Sequence, residues 1–144
     1  MSKTDKKIAF FGKDPGSVNV LTPVLLKLRA NYSCFVYAYK HGKAQFKRFG
    51  VDSIHMSHEM DIFSYLTDEF SKNSFDLVVT GTGIENFERS IWNFAKENKI
   101  LSCAIIDSWV NLSERFMDFD KRFILPDYIV CIDDYSKKIL IHSG

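Results

Sequence analysis

Residues 7–28 read KIAFFGKDPGSVNVLTPVLLKL and contain one candidate strand followed by one candidate helix. Its first six residues form an apolar run that ends in glycine, which is typical of a strand buried on both faces. After the turn, apolar residues recur at helical spacing up to about residue 30. The stretch therefore predicts a strand–turn–helix unit, the first step of a βαβ arrangement.

The remainder of the chain repeats this order. Five further apolar runs predict strands at residues 33–39, 51–55, 75–80, 101–106 and 127–132. Helical spacing predicts helices over residues 44–49, 60–71, 84–98 and 133–143, with Gly144 as a C-terminal cap. We expect an α/β fold: a doubly wound, Rossmann-like three-layer sandwich with a mostly parallel sheet of about six strands in the order 3-2-1-4-5-6.

Length and composition narrow the class of protein. The 144 residues suit one domain, and 46% hydrophobic with 26% charged residues is ordinary for a globular protein. A net charge of +1 lacks the basic excess of a nucleic-acid-binding domain. No apolar stretch approaches the ~20 residues of a membrane span, and the N-terminal MSKTDKK is no signal peptide.

The cysteines and histidines suggest neither a disulfide framework nor a metal site. Cys34, Cys103 and Cys131 are odd in number, far apart and inside apolar runs, which predicts free core thiols in a reducing, cytoplasmic setting. His55 and His58 lack metal spacing with other ligands. We therefore expect no metal and no cofactor.

Ligands of such sheets bind at the carboxyl ends of the strands, which selects residues 12–17, 81–83 and 107–115. The first of these loops, GKDPGS, has neither dinucleotide nor phosphate-loop spacing. Its glycines and the free amides at the helix start favour an anion or a sugar, or else it is a plain turn capped by Ser17. Pro23 either kinks this helix or marks Thr22 as a late cap. The candidate ligand contacts of this region are Gly12, Asp14, Gly16, Ser17 and Asn19.

The second loop carries Gly81, Thr82 and Gly83. Thr82 and Glu85 have the spacing of a capping box, which would place a carboxylate where a phosphate would bind. We therefore expect a structural cap rather than a phosphate site here. The glycines still allow a neutral sugar to approach the backbone closely.

The third loop begins with Asp107 and continues with Trp109, Asn111, Glu114 and Arg115. A carboxylate beside an indole and an amide suits sugar recognition, and it also suits a general acid or base. In the alternative interpretation, Asp107 caps the next turn and Trp109 packs in the core.

Three segments together resemble the N-terminal domain of the B-type glycosyltransferase fold, especially the non-hydrolysing nucleotide-sugar 2-epimerases. They are GKDPGSVNVLTPVLLKL, FDLVVTGTG and LPDYIVCIDDYSKKIL. Gly12, Pro15 and Pro23 stand where that family has a Gly-x-x-Pro turn and a second proline. The resemblance implies two Rossmann-like domains that face each other across a cleft. The C-terminal domain would supply most of the nucleotide site, and the N-terminal domain the acceptor contacts or catalytic acids.

The resemblance also carries departures. Asp107 matches an acidic residue of the epimerases, but Thr82 stands where they have an aspartate, and their Pro-Glu-Glu stretch has no clear match. It thus implies a glycosyltransferase-like or nucleotide-sugar-modifying protein of surface polysaccharide or glycan biosynthesis. Asp107 and Glu114 are the expected catalytic residues, and a nucleotide sugar or glycan acceptor the expected ligand. Residues 1–144 would be the acceptor-side half, inactive without a missing C-terminal domain.

A different class of function stays open, namely a stand-alone binding or interaction module without catalysis. In that hypothesis Phe116, Phe119 and Phe123 dock another protein or a second copy, giving a homodimer. Their spacing is roughly helical, so these side chains could equally be core.

Overall fold

The computed structural model describes residues 2–57 and 59–143, so the expected cap at Gly144 and any role of His58 lie outside the described residues. Six strands alternate with the helices along the chain. The strands are β1 (Lys7–Gly12), β2 (Ser33–Tyr39), β3 (Ile54–Met56), β4 (Leu77–Thr80), β5 (Leu101–Ile105) and β6 (Tyr128–Val130). The helices are α1 (Pro15–Leu28), α2 (Gly42–Arg48), α3 (Ile62–Lys72), α4 (Phe87–Glu97) and α5 (Asp134–Ser143), with a 3₁₀ turn at Glu114–Phe116.

All six strands pair in parallel, in the order β3-β2-β1-β4-β5-β6. This confirms the expected doubly wound α/β fold and its strand order. β1 lies at the centre, where Phe10 pairs in register with Val36 of β2 and with Val79 of β4. The change of direction in strand order between β1 and β4 opens a crevice at the carboxyl ends of the central strands.

The sheet separates two apolar layers. Phe10 points to the face covered by α1 and α2, where it packs with Leu21 and Phe46. Phe11 points to the opposite face and joins the layer formed by α3 and α4, which includes Ile91. Each of these phenylalanines is fully buried and stabilises the fold by about 2 kcal/mol.

A third apolar cluster lies beneath the segment that joins β5 to β6. Phe116 stacks on Trp92 of α4 with 5.5 Å between ring centroids, and both side chains are buried. Trp92 also donates its indole hydrogen bond to the Thr80 hydroxyl at 2.9 Å. The long connection after β5 is therefore anchored to the core.

Helix α1 starts earlier than either of the two expected caps, Ser17 and Thr22, would allow. Its cap is Asp14, whose carboxylate accepts from the Ser17 amide at 2.8 Å, so Ser17 is not the cap. The helix continues through Pro23, and the Thr22 hydroxyl donates to the Val18 carbonyl within it. The interpretation of Thr22 as a late cap is therefore wrong.

Candidate functional site

An ion pair joins two of the loops at the carboxyl edge of the sheet. Nη1 of Arg115 donates to Oδ1 of Asp107 at 2.5 Å and to the Thr82 hydroxyl at 2.9 Å. Nε of Arg115 donates to the Val110 carbonyl at 3.0 Å. The Arg115 and Asp107 side chains are only 13% and 15% exposed, so water screens their attraction less than it screens a surface pair.

The first loop meets these two where β1 leads into α1. A Cβ built on Gly16 would lie 2.1 Å from Oδ2 of Asp107, so the carboxylate rests directly against the glycine backbone. A Cβ on Gly81 would lie 2.4 Å from the Ser17 hydroxyl. The structure thus brings four predicted site residues together through close backbone approach, namely Gly16, Ser17, Gly81 and Asp107, and Arg115 joins them through its pair with Asp107.

The start of α1 already carries negative charge. Asp14 caps the helix, and Asp107 lies beside Gly16 in its first turn. Both carboxylates interact favourably with the positive end of the helix dipole. A phosphate bound here would face two carboxylates, so this position suits neutral ligand groups better than anions.

The capping box expected at Thr82 and Glu85 does not form. Helix α4 begins at Phe87 after Asn86, and the Thr82 hydroxyl accepts from Arg115 instead. Glu85 is exposed and pairs with Nζ of Lys40 at 2.7 Å. The hydrogen bond from Lys40 holds the pKa of the Glu85 carboxyl below its usual value.

Trp109 lies on the rim of this edge rather than in the core. Its side chain is 54% exposed, and its indole nitrogen donates to the Asp133 carboxylate at 3.3 Å. Asn111 is exposed as well, with a left-handed backbone (φ 52°). The interpretation of Trp109 as a core residue is therefore wrong.

Three of the predicted site residues lie away from the Asp107 cluster. Asn19 accepts a hydrogen bond from Gln45 of α2 at 2.8 Å. Gly12 gives room to the ring of Phe46, which would lie 2.7 Å from an added Cβ. Glu114 is exposed and lines a separate groove that also includes Ile84 and Phe119. Roles of these residues in ligand binding or catalysis stay predictions.

Two charged side chains at this edge, Lys13 and Glu88, are not among the site residues that the sequence predicts. Lys13 is 8% exposed, and its Nζ lies 3.5 Å from Glu85. Glu88 is 1% exposed, and burial raises the pKa of its carboxyl to about 7 although Lys13 opposes the shift. Glu88 lies three and four residues before Ile91 and Trp92, and therefore on the same, apolar face of α4. A charged residue on that face is the sequence signal from which its burial could have been predicted.

Arg89 holds the β4–α4 loop in place. Its guanidinium donates to the carbonyls of Gly83 and Arg115 at 3.1 and 2.9 Å, and also to that of Ile84. These contacts engage the carbonyls of residues 83 and 84 outside the helix, and α4 starts at Phe87, later than its apolar spacing predicts.

The three phenylalanines of the interaction hypothesis do not share one surface. Phe116 is buried against Trp92, whereas Phe119 is 89% exposed and Phe123 is 42% exposed. The core interpretation is therefore right for the first of them and wrong for the second.

Within residues 2–57 and 59–143, no group of three or more His, Cys, Asp or Glu side chains is placed to hold a metal ion. No helix in that part of the chain is both long and apolar enough to cross a membrane. Cys34, Cys103 and Cys131 are free, and burial raises the pKa of each thiol.

Neither a protein-family model nor a curated protein matches the sequence. Solved structures do match the fold. A putative UDP-N-acetylglucosamine 2-epimerase from Listeria monocytogenes superposes with a TM-score of 0.73 and 10% identity, over 98% of this chain and 43% of its own. The chain has the fold of part of these epimerases. A UDP-GlcNAc 2-epimerase from Neisseria meningitidis, solved bound to UDP-GlcNAc, matches 69% of the chain with a TM-score of 0.58 and 16% identity.

The epimerase-like fold confirms the resemblance at the level of architecture. The chain spans less than half of three solved structures that it matches, namely 43% and 32% of these two epimerases and 33% of a further UDP-N-acetylglucosamine 2-epimerase. Sequence identities of 10 to 16% support a shared fold, but they do not show that the proteins catalyse the same reaction.

Proposed function

We propose that this chain is the sugar-side half of a two-domain nucleotide-sugar-modifying enzyme, with the ligand held at the carboxyl ends of β1, β4 and β5. The observation that carries the proposal is the convergence of Gly16, Thr82, Asp107 and Arg115 at the edge where doubly wound sheets bind ligands. The fold neighbours, which include an enzyme solved with UDP-GlcNAc, support the same ligand class.

The charges at this edge favour the glycosyl part of a nucleotide sugar over its diphosphate. The start of α1 is neutralised by Asp14 and Asp107, and Arg115 is engaged by Asp107 and Thr82. Backbone at the glycines, together with carboxylate and hydroxyl groups, matches sugar hydroxyls. The diphosphate would then be bound by a second domain.

Asp107 is the proposed acid–base residue. Its carboxylate, held in place by Arg115, would act as a base that accepts a proton from a sugar hydroxyl or ring carbon. Trp109, exposed on the rim, would stack against a sugar face. Glu114 stays a second catalytic candidate, which would need the 3₁₀ turn to move closer.

The wider role that we propose is surface polysaccharide or glycan biosynthesis in the cytoplasm, as a glycosyltransferase-like or epimerase-like protein. A catalytically silent interaction module is the competing hypothesis, and the buried position of Phe116 weakens the surface on which it depended.

Amide-detected NMR titration of the chain tests the proposal with three probes: UDP-GlcNAc, N-acetylglucosamine and UDP. We expect the two probes that carry N-acetylglucosamine to shift the signals of Gly16, Thr82 and Arg115 at millimolar concentration, and UDP alone to leave them unchanged. Asp107→Asn should abolish these shifts. The control Asp120→Asn, which changes a 77% exposed carboxylate, should preserve them. Shifts caused by UDP alone, or an absence of shifts with either sugar, would refute the proposal.

A further inference from the structure

Glu88 is a carboxylate that is buried almost completely within the domain. It lies in the first turn of α4 with 1% of its surface exposed, and neither side-chain oxygen accepts a bond from another residue among those described. Burying such a group is costly unless it is paired or neutral. Its position beneath the site therefore needs an explanation.

Among the cations around Glu88, Lys13 lowers the pKa of its carboxyl most, and the two head groups converge on Gly83. A Cβ built on Gly83 would lie 2.9 Å from Nζ of Lys13 and 3.0 Å from Oε2 of Glu88. No ion pair joins Lys13 to Glu88 in the described structure; the partner of Lys13 is Glu85, at 3.5 Å. Glu85 is already held by Lys40 at 2.7 Å, which leaves Lys13 weakly engaged.

The position of Lys13 depends on whether Glu88 is protonated or ionised. With Glu88 protonated, Lys13 stays near Glu85, as in the structure. With Glu88 ionised, its buried charge attracts Lys13, and the loop at Gly83, against which both head groups rest, has to adjust.

The other charged groups around Glu88 set the balance between the two arrangements. Asp14 at the start of α1 raises the pKa of Glu88, whereas Lys13 and Arg89 lower it. Burial is the largest effect and raises that pKa to about 7. Lys40, at the end of β2, also experiences the charge on Glu88. Both protonation states are therefore populated near neutral pH.

A short chain of contacts connects Gly83 to the Asp107 pair. The neighbouring residue Thr82 accepts from Nη1 of Arg115 through its hydroxyl at 2.9 Å and through its carbonyl at 3.4 Å. Arg89 links the Gly83 carbonyl to the Arg115 carbonyl through a single nitrogen. A shift of residues 81–83 therefore reaches the guanidinium that pairs with Asp107.

We propose that Glu88 is a positioning residue: by binding or releasing a proton it moves the loop of residues 81–83, and with it the Arg115 guanidinium that holds Asp107. This concerns the same edge as the proposed function. Its test needs no ligand, so either proposal can fail without the other.

The experiment is an NMR pH titration of the unliganded chain from acid to mildly alkaline pH. It follows the Glu88 carboxyl carbon, the Thr82 amide and the Arg115 Nε–H group. We expect all three signals to share one titration step near neutral pH. In Glu88→Gln the step should vanish from Thr82 and Arg115, whereas Glu97→Gln, at the exposed end of the same helix, should keep it. In Lys13→Met the midpoint should move upward, because the cation that favours ionised Glu88 is gone.

A step that persists at Arg115 in Glu88→Gln would assign it to a histidine or another group and overturn the proposal. If that variant fails to fold, the wild-type curves still decide the question. A Glu88 carboxyl that titrates while Thr82 and Arg115 stay still would equally overturn it.

Discussion

Oδ2 of Asp107 rests against the backbone of Gly16, where a Cβ would lie 2.1 Å from the oxygen. Position 16 is in the first turn of α1, where alanine is ordinarily the better helix former by about 1 kcal/mol. The contact with Asp107 should reverse that preference. Only a residue without a side chain lets the Asp107 carboxylate lie this close to the helix start.

Gly16→Ala should accordingly lower the free energy of unfolding by about 1–3 kcal/mol, because the new methyl group displaces Asp107 from its pair with Arg115. Urea denaturation measures the loss. Gly50→Ala is the matched control: its φ of 68° makes alanine strained, but no atom lies within 4 Å of the new Cβ. Both variants should lose stability, and only the first should move the Arg115 Nε–H signal. A stabilised Gly16→Ala variant would contradict this prediction, because Asp107 would then move aside without lowering the free energy of unfolding.

The Asp107–Arg115 pair should have a measurable coupling energy. A double-mutant cycle with Asp107→Asn and Arg115→Gln is expected to give about 1–3 kcal/mol, because both groups are largely shielded from water. The same cycle on Asp118 and Arg122, whose arginine is 75% exposed, should give less than about 1 kcal/mol. Equal coupling energies in the two cycles would mean that burial does not strengthen the attraction between Asp107 and Arg115.

The same substitution should destabilise the protein at Trp92 but not at Trp109. Trp92→Phe removes the hydrogen bond to Thr80 in the core and should cost about 1–2 kcal/mol of stability. Trp109→Phe changes an exposed side chain and should stay within about 0.5 kcal/mol of wild type. Thermal unfolding compares them, and acrylamide quenching of the remaining indole should be strong only where Trp109 is retained. A destabilised Trp109→Phe variant would contradict its placement on the rim.

Glu88 should make stability depend on pH. Its pKa is about 7 in the folded chain against a usual value of 4.5, so between these values the folded state binds the extra proton. Stability is then lost as the pH rises toward and through 7, by up to about 3 kcal/mol. Relative to wild type, Glu88→Gln should be more stable at pH 8 than at pH 5, as measured by urea denaturation at each pH. A constant difference between the two proteins would rule out a proton held by Glu88.

The sequence predicted the centre of the sheet better than its edge. β1 and β2 have the bounds that their apolar runs indicated, because strands buried on both faces are hydrophobic throughout. The last strand was expected over residues 127–132 but pairs only over Tyr128–Val130. Asp127 instead binds the Ser102 amide through its carboxylate at 2.8 Å, a contact that no local pattern reveals.

The loops that carry the candidate site could be located from the sequence, but the contacts within them could not. Strand ends indicate where Thr82 and Asp107 must lie. Local spacing then favoured a bond between Thr82 and the start of α4, whereas the hydroxyl binds Arg115, which is 33 residues away. Long-range partners of this kind depend on the packing of the whole domain. The same is true of the burial of Glu88, for which the only sequence signal is a charged residue on the apolar face of α4.

The stacking of Phe116 on Trp92 has a consequence for how the site can open. The residue after Arg115 is fixed in the core, so the guanidinium is not carried by a loop that frays independently. Amide hydrogens around Arg115 should therefore exchange with solvent only when the Trp92 cluster itself loosens, as part of one cooperative unit. The carboxyl edge of the sheet and the hydrophobic core would then open in the same event and with the same opening rate.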